Sequence, residues 1–398
     1  MSKLWSESDK LDPAVEAYTV GNDYLTDMKL LPYDLKASAA HAGMLAKIGI
    51  LSGGEYENIK RALDEIKKLH ESGKFVIKPE QEDCHTAIEQ YITEKYGESG
   101  KKIHTGRSRN DQVLTMLRLY MRDVLNDLGE KLETLSTAFT QAAKKAEGVP
   151  MPGYTHMQKA MPSSVSDWLG AYADACNDLT PLVKATYKLV DQSPLGSAAG
   201  FGVKGLELDR EMTAREMGFA RAQQNPIYAG ISRGYFESAV LDLGGLIMTL
   251  SGRFASDMLL FTTQEFDYFS LPPKYTTGSS IMPNKRNYDI FEVMRGNAKV
   301  VEACNLQIKS VTAGLGSGFQ RDLQLTKEPF LKGAEVTLTT LDILCQAVPK
   351  LQIHEGKLKT AMTADLYATE KAYELVKQGL PFREAYKQVK SELFEEER

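Results

Sequence analysis

The stretch that decides the fold is RNDQVLTMLRLYMRDVLNDLGEKLETLSTAFTQAAKKAE, residues 109–147. Leu117, Met121, Val124, Leu128, Leu132, Leu135, Phe139 and Ala142 recur at steps of three and four, which puts them on one stripe of an α-helix. The interior Gly129 costs only about 1 kcal/mol against alanine and does not end the element. At ~1.5 Å per residue such a helix is over about 50 Å long. An average globular helix has only ~11–12 residues. Three more stretches read the same way: Ser163–Val190, Gly230–Thr262 and Tyr288–Thr312. Prolines and glycines cluster between these stretches, as in helices separated by loops. Strand signals are weak, and Lys74–Ile77 is the best candidate. The reading is a mostly α protein with a central bundle of very long helices.

Composition narrows the class. The chain has 398 residues, room for two or three domains at ~100–200 residues each. Its formal net charge is -5 with both signs spread along the chain, so no basic stripe for nucleic acid is expected. Met1–Glu7 has no apolar run after a basic start, and no stretch approaches the ~18 apolar residues of a membrane span. Four cysteines, Cys84, Cys176, Cys304 and Cys345, are too sparse for a disulfide scaffold and have no metal-finger spacing. Reduced thiols and a cytoplasmic location are expected. Tyr235–Met258 carries apolar residues on more than one face and includes Gly244 and Gly245. A helix apolar most of the way round needs cover on all sides, so self-association is expected; the plainer reading is an ordinary central core helix. Near the C-terminus, Gly379 followed by Pro381 stops one helix and starts another, and Glu395–Arg398 reads as a solvated end.

Four polar segments interrupt this helical background, and loops of this kind on a rigid scaffold are where function usually sits. His104–Gln112 lies at a helix start, where free N–H groups and a positive dipole end meet Arg107, Arg109 and Asn110. That suits a carboxylate; the plainer reading is that Ser108 or Asn110 caps the helix. Met151–Gln158 puts Thr155 and His156 on a Pro/Gly turn just before a helix, as an acid/base pair or as a structural histidine. Glu82, His85 and Glu89 are spaced for one helical face, and a hydrogen-bonding role is favoured over metal. In Gly278–Asn287, small residues lead to Lys285, Asn287 and a helix start near Tyr288, with Glu292 on its first turns. A cation, an amide and a helix N-terminus converge there, which suits developing negative charge; the plainer reading is a surface loop with a serine N-cap.

Gly278–Asn287 matches the pattern Gly-Ser-Ser-x-Met-Pro-x-Lys-x-Asn throughout, and so resembles the fumarase/aspartase superfamily. Thr105–Gln112 and Gly153–Gln158 are similar to the first two motifs of its argininosuccinate lyase branch. Tyr33–Ala42, Glu82–His85, Ser193–Ser197, Asp322–Gln324 and Gly379–Ala385 extend the resemblance over about residues 30–390. It implies three domains: an N-terminal helical domain at 1–108, a central long-helix domain at 109–360 and a small C-terminal helical domain at 361–398. It also implies a homotetramer with a twenty-helix core and active sites shared between subunits.

The implied reaction is anti β-elimination of argininosuccinate to arginine and fumarate, in arginine biosynthesis, with no cofactor and no metal. By motif position Ser279 corresponds to the catalytic base. Lys285 and Asn287 correspond to groups that bind the carboxylate where charge accumulates. His156 corresponds to the catalytic histidine and Glu292 to its carboxylate partner. Ser38, Arg109, Asn110, Thr155, Gln324 and Lys327 correspond to substrate-binding positions. Phe319 stands where the family usually has a substrate-binding tyrosine, and Tyr288 where proline is usual. Two alternatives follow from the same resemblance: a related lyase releasing fumarate from another aspartate or succinyl adduct, and a non-catalytic relative like the lens crystallins.

Overall fold

The computed structural model describes residues 12–396. The order of elements is α1 (Pro13–Val20), α2 (Asp23–Lys47), α3 (Gly53–Glu71), α4 (Cys84–Tyr96), α5 (Glu98–Lys102), α6 (Arg109–Lys145), β1 (Pro150–Thr155), β2 (Gln158–Ser164) and α7 (Val165–Val190). Then come α8 (Arg210–Met217), α9 (Pro226–Ile231), α10 (Tyr235–Phe261), β3 (Phe269–Ser270), α11 (Asp289–Thr312) and α12 (Lys327–Ala347). The chain ends with β4 (Gln352–Ile353), α13 (Glu355–Ala361), α14 (Ala368–Lys377) and α15 (Phe382–Glu396). The fold is mostly α, as the periodicity requires, and α6 runs for 37 residues. The sequence end Glu397–Arg398 lies outside the described residues, as does Met1–Glu7.

Two compact units divide the chain. One takes the residues up to Asn126, Lys184–Leu243 and Glu302–Glu335; the other takes Asp127–Val183, Gly244–Val301 and the residues from Val336 on. In the first, Ala37, Ala40, Leu119, Leu195, Met217, Phe219 and Ala222 share one apolar cluster. In the second, Trp168 stacks on Phe254 and Phe269, while Phe139 stacks on Tyr172. Asp257 accepts from the Trp168 indole N–H at 2.9 Å and from the Tyr172 hydroxyl at 2.7 Å, so the two polar handles of this aromatic core are satisfied. The α14–α15 pair has its own small core of Ala372, Ala385 and Val389. Gly379 ends the turn between these helices at φ 101°, as its place before Pro381 demands.

Several expectations need correcting. Lys74–Ile77 is not a strand: no neighbouring strand pairs with it, the Phe75 N–H donates to the Leu69 carbonyl and the Ile77 N–H to Met28 Sδ. Of the strands that do form, the longer pair, β1 and β2, lies in a segment expected to be a loop because Pro150, Pro152, Gly153 and Pro162 punctuate it. An isolated two-stranded ribbon tolerates these prolines because each strand has a free edge. The stretch Gly230–Thr262 is not one helix. It divides at Gly234, whose φ is 78° and where a Cβ would stand 2.3 Å from Thr312 Cγ2. α10 buries Phe236, Val240, Leu241, Ile247 and Met248, yet Leu246 stays 51% exposed. The expected all-round burial of this helix is therefore unmet within one chain. Gly244 packs against Thr337 with 3.2 Å left for a Cβ, whereas Gly245 faces open space.

Candidate active site

In the first unit, α6 begins in a loop that caps itself. The Ser108 N–H donates to Asp111 Oδ1 at 2.8 Å, and the Asn110 N–H reaches Ser108 Oγ at 3.4 Å. Asp111 Oδ2 accepts from the Gly196 and Ala198 N–H groups, both at 2.9 Å. The capping reading of Ser108 is thus realised, and Asp111 already takes up much of the helix's N-terminal potential. Burial raises the Asp111 pKa despite those three N–H donors.

Beside this cap an open cleft is lined by Asp23, Glu82, Asp83, Arg109, Asn110, Arg233, Phe319, Gln324 and Lys327, among others. Arg109 donates to Glu82 at 2.8 Å and to Thr86 Oγ1 at 2.7 Å, and its Nε lies 3.1 Å from Asp83. Lys327 is buried, 2.6 Å from Asp27 and 3.2 Å from Asp23. Burial opposes its charge, but the two carboxylates outweigh that and push its ammonium above the usual lysine range. Gln324 Nε2 donates to the Val20 carbonyl at 2.9 Å and the Thr19 carbonyl at 3.2 Å, which ties the cleft wall to α1. Phe319 is 45% exposed and faces this cleft without a hydroxyl.

Of the substrate-binding candidates in this unit, Arg109, Asn110, Gln324 and Lys327 come together on the cleft. Ser38 does not line it: it is fully buried and accepts from Arg107 at 2.9 Å. Glu82, with φ 66°, lies outside α4, so it does not share a helical face with His85 as the spacing suggested. His85 instead pairs with Asp34 at 2.9 Å. Burial works against charge on both, yet each partner's charge prevails: the His85 pKa is raised and the Asp34 pKa lowered.

The hydrogen-bonding role expected of His85 is met here, in a buried network to which Asp27, Asp34, Ser38 and His41 contribute from one side of α2. Asp34, Cys84 and His85 have ligand atoms within 4.8 Å of one another, a geometry that could hold a metal ion. The 2.9 Å between His85 and Asp34 is a hydrogen bond, shorter than the roughly 3.3 Å between neighbouring ligands on a tetrahedral zinc. Burial also pushes the Cys84 thiol well up, against the thiolate a metal needs.

The second unit holds the remaining candidates, on two exposed turns. β1 and β2 pair antiparallel with Thr155 opposite Gln158, leaving His156 and Met157 as a two-residue turn. Both have positive φ, 52° and 62°. This is the backbone of a primed hairpin turn, where asparagine and glycine are usual. A histidine and a methionine are held there at a conformational cost, and such outliers cluster at functional sites. The expected place of this turn, directly before a helix, is corrected: β2 intervenes. The His156 ring is exposed and has no hydrogen-bond partner among the described residues.

The other turn is pinched at its base. Thr277 and Asn287 exchange two backbone hydrogen bonds, at 3.0 and 2.9 Å, and Thr277 Oγ1 bonds Asp289 at the start of α11. Asn287 Nδ2 lies 3.4 Å from both the Gly278 carbonyl and Thr277 Oγ1. At the tip, Ser279 Oγ accepts from the Met282 N–H at 3.1 Å and the Ile281 N–H at 3.3 Å. Ser279 is half-buried; Lys285 and Glu292 are exposed, and neither has a side-chain partner among the described residues. Both donors come from the two and three residues that follow, the local turn that a serine hydroxyl commonly closes with its own backbone.

A family profile described as "Lyase" matches residues 7–302. The argininosuccinate lyase of Thermotoga neapolitana is 43% identical over 97% of this chain and 97% of its own length. That of Xanthomonas campestris pv. campestris is 44% identical over 96% of this chain and 89% of its own. Among solved structures, an EDDS lyase in complex with formate superimposes with a TM-score of 0.80 at 23% identity, covering 96% of this chain and 76% of that one. A class II fumarase from Schistosoma mansoni gives 0.74 at 18% identity, covering 96% and 93%. The chain belongs to this lyase family and, within it, to the argininosuccinate lyases.

Proposed function

We propose that this chain cleaves argininosuccinate to arginine and fumarate, with Ser279 as the base. The observation that carries the assignment is the pair of N–H groups on Ser279 Oγ. Serine is a poor base at its ordinary acidity. Two donors to its oxygen, with Lys285 brought close in a closed loop, lower the cost of the alkoxide. Ser279 then takes the Cβ proton of the succinyl part. The electron pair delocalises into the neighbouring carboxylate, and Lys285 and Asn287 hold that extra charge. Losing one such donor typically costs about 2.7–4 kcal/mol of barrier. The pair then forms the C=C bond of fumarate as the C–N bond breaks and the guanidine leaves. His156, oriented by Glu292, serves this proton traffic. Thr155 and the cleft residues Arg109, Asn110, Gln324 and Lys327 bind the substrate, with Ser38 supporting them from beneath.

The proposed site is composite. In a single chain Ser279 is only half-buried and Lys285 is exposed, while an alkoxide base needs a dry environment. α10 leaves Leu246 exposed, and α11 leaves Val293 and Leu306 at 59% and 65% exposure. Burying such apolar stripes between copies fits a homotetramer whose subunits complete one another's sites. A cytoplasmic place in arginine biosynthesis goes with this reading.

The direct test follows fumarate absorbance with argininosuccinate and a panel of other succinyl adducts. A rise with another adduct and none with argininosuccinate would overturn the substrate. Mixing Ser279→Ala protein with Asn110→Ala protein tests the composite site. Subunit exchange is expected to restore activity that neither variant has alone; no recovery after verified exchange places each site within one chain.

A further inference from the structure

A second serine in this chain meets a base, away from every motif named above. β3 and β4 pair so that Ser270 lies opposite Gln352. Phe269 fills the core, and its neighbour Ser270 points the other way, half-buried. Ser270 Oγ lies 2.9 Å from His354 Nε2. His354 Nδ1 lies 2.9 Å from the Asp267 carbonyl oxygen and 2.9 Å from Asp267 Oδ1. Both of these oxygens only accept, so Nδ1 must carry the ring's proton. In the neutral ring Nε2 is then a lone pair aimed at the Ser270 hydroxyl. The sequence reading had no means of finding this, because Asp267, Ser270 and His354 lie in two segments 84 residues apart across the bonded pair.

The arrangement is held from several sides. The His354 N–H donates to the Tyr268 carbonyl at 2.9 Å, fixing the backbone that carries the ring. Asp267 sits at φ 49°, a strained value for a residue with a side chain, and its N–H donates to the Thr263 carbonyl at 2.8 Å. Lys357 Nζ stands 3.6 Å from the other Asp267 oxygen. Gln352 Oε1, 3.0 Å from Ser270 Oγ, accepts the same hydroxyl proton as placed; with the amide turned over, its NH₂ donates to Ser270 Oγ and leaves that proton to His354 Nε2. Nucleophile, base and orienting carboxylate are thus linked in the order that acyl transfer requires, all on the β3–β4 pair and its flanking residues.

We propose that Ser270, His354 and Asp267 form a second, independent nucleophilic site that hydrolyses small activated acyl esters. In the first half, Ser270 Oγ bonds to the ester carbonyl carbon while its proton passes to His354 Nε2, and the carbonyl π pair moves to oxygen. Collapse restores the C=O bond and breaks the bond to the leaving oxygen, which takes the proton from Nε2. In the second half, water adds to the acyl-serine and gives its proton to Nε2. Collapse then breaks the bond to Ser270 Oγ, which recovers the proton, and the carboxylic acid departs. The sum is ester plus water giving acid plus alcohol. A half-open surface site with base catalysis of ~10²–10⁴-fold suits leaving groups that depart readily.

The test uses the full-length protein and 4-nitrophenyl acetate, followed by 4-nitrophenolate absorbance and by peptide mass spectrometry of the trapped acyl-enzyme. The expected label is one acetyl group on Ser270. Ser270→Ala is expected to lower the rate above buffer at least ten-fold while fumarate formation stays unchanged. His354→Ala is expected to lose the same rate and regain part of it with added imidazole, a rescue that a purely structural histidine would not show. Acetyl on Ser279 or on lysine instead, or an unchanged rate in Ser270→Ala, overturns the proposal. Loss of fumarate formation in Ser270→Ala overturns its independence from the lyase site.

Discussion

Around Arg109 the charges are answered; around Ser279 they are not. In the first unit Arg109 has Glu82 and Asp83, Lys327 has Asp27 and Asp23, and Arg233 has Glu237 at 3.2 Å. In the second, Lys285 has no side-chain partner among the described residues, nor has His156, and both are exposed. Burial accounts for the contrast. A buried charge without a partner costs several kcal/mol, so the cleft must be neutralised by its own chain before any ligand arrives. An exposed charge is solvated and carries no such demand. In the proposed function the cleft is then a preformed recognition surface, and the Ser279 loop and the His156 turn have their backbones set before the chemistry assigned to them is covered.

Breaking the exposed half removes chemistry and leaves the fold. Ser279→Ala is expected to lower fumarate formation by roughly 10²–10⁴-fold, the usual range for a positioned base. Its melting temperature should match the parent, because Ser279 Oγ anchors only two N–H groups of its own loop. His156→Asn should likewise lose activity without losing stability, since asparagine accepts a positive φ more readily than histidine. A drop in melting temperature in either variant would mean that these turns support the fold.

Breaking the answered half costs stability as well as substrate binding. Lys327→Met leaves Asp27, fully buried, and Asp23 without their cation. Removing one partner of a buried pair typically costs about 3–5 kcal/mol. Chemical unfolding should show that loss, and adding Asp27→Asn should recover part of it. An unchanged unfolding midpoint in Lys327→Met would show that water reaches this pair and that the cleft is not preformed.

The same contrast decides what could be read from sequence. Long helices were legible because burial of one stripe imposes a period, and α6, α7 and α11 begin within two residues of where the period placed them. The Ser279 loop was legible because small residues, a cation and a helix start are contiguous. The β1–β2 hairpin was not, since its prolines and Gly153 read as turn chemistry. Packing favours Gly153 there: a Cβ would sit 3.1 Å from the Met161 carbonyl oxygen, a tight approach across the pair. The buried polar side of α2 was also missed. Asp27, Asp34 and His41 look like surface residues of an amphipathic helix until Lys327, His85 and the Thr105 carbonyl are brought to them from distant segments. Local period cannot show a partner 300 residues away.

A gentler perturbation separates the halves by pH. His104 is part-buried near Arg107, and burial first, then that guanidinium, hold its pKa down to about 4. Below pH ~6.5 the unfolded chain binds a proton that the folded chain refuses. Stability therefore falls as pH drops from ~6.5 through 4, and His104→Gln removes that contribution. The ring is 42% exposed, so the change is modest, read as a flatter dependence of the urea midpoint on pH in the variant. Identical slopes in parent and variant would mean that water screens His104 from Arg107.

The smallest expected change is also the sharpest probe of the cleft. Phe319 lines it without a hydroxyl, opposite residues whose polar groups are mostly engaged. Phe319→Tyr adds one donor and acceptor to a position that is 45% exposed, so the hydroxyl costs little in desolvation in the free protein. A net hydrogen bond to substrate contributes about 0.5–1.5 kcal/mol, or roughly 2–13-fold in KM. If the cleft recognises the distal end of argininosuccinate while the Ser279 loop does the chemistry, KM falls and kcat holds. A change confined to kcat would instead place Phe319 beside the reacting bond. The cleft would then belong to the same step as the exposed loop, and the division of labour drawn from their charges would fail.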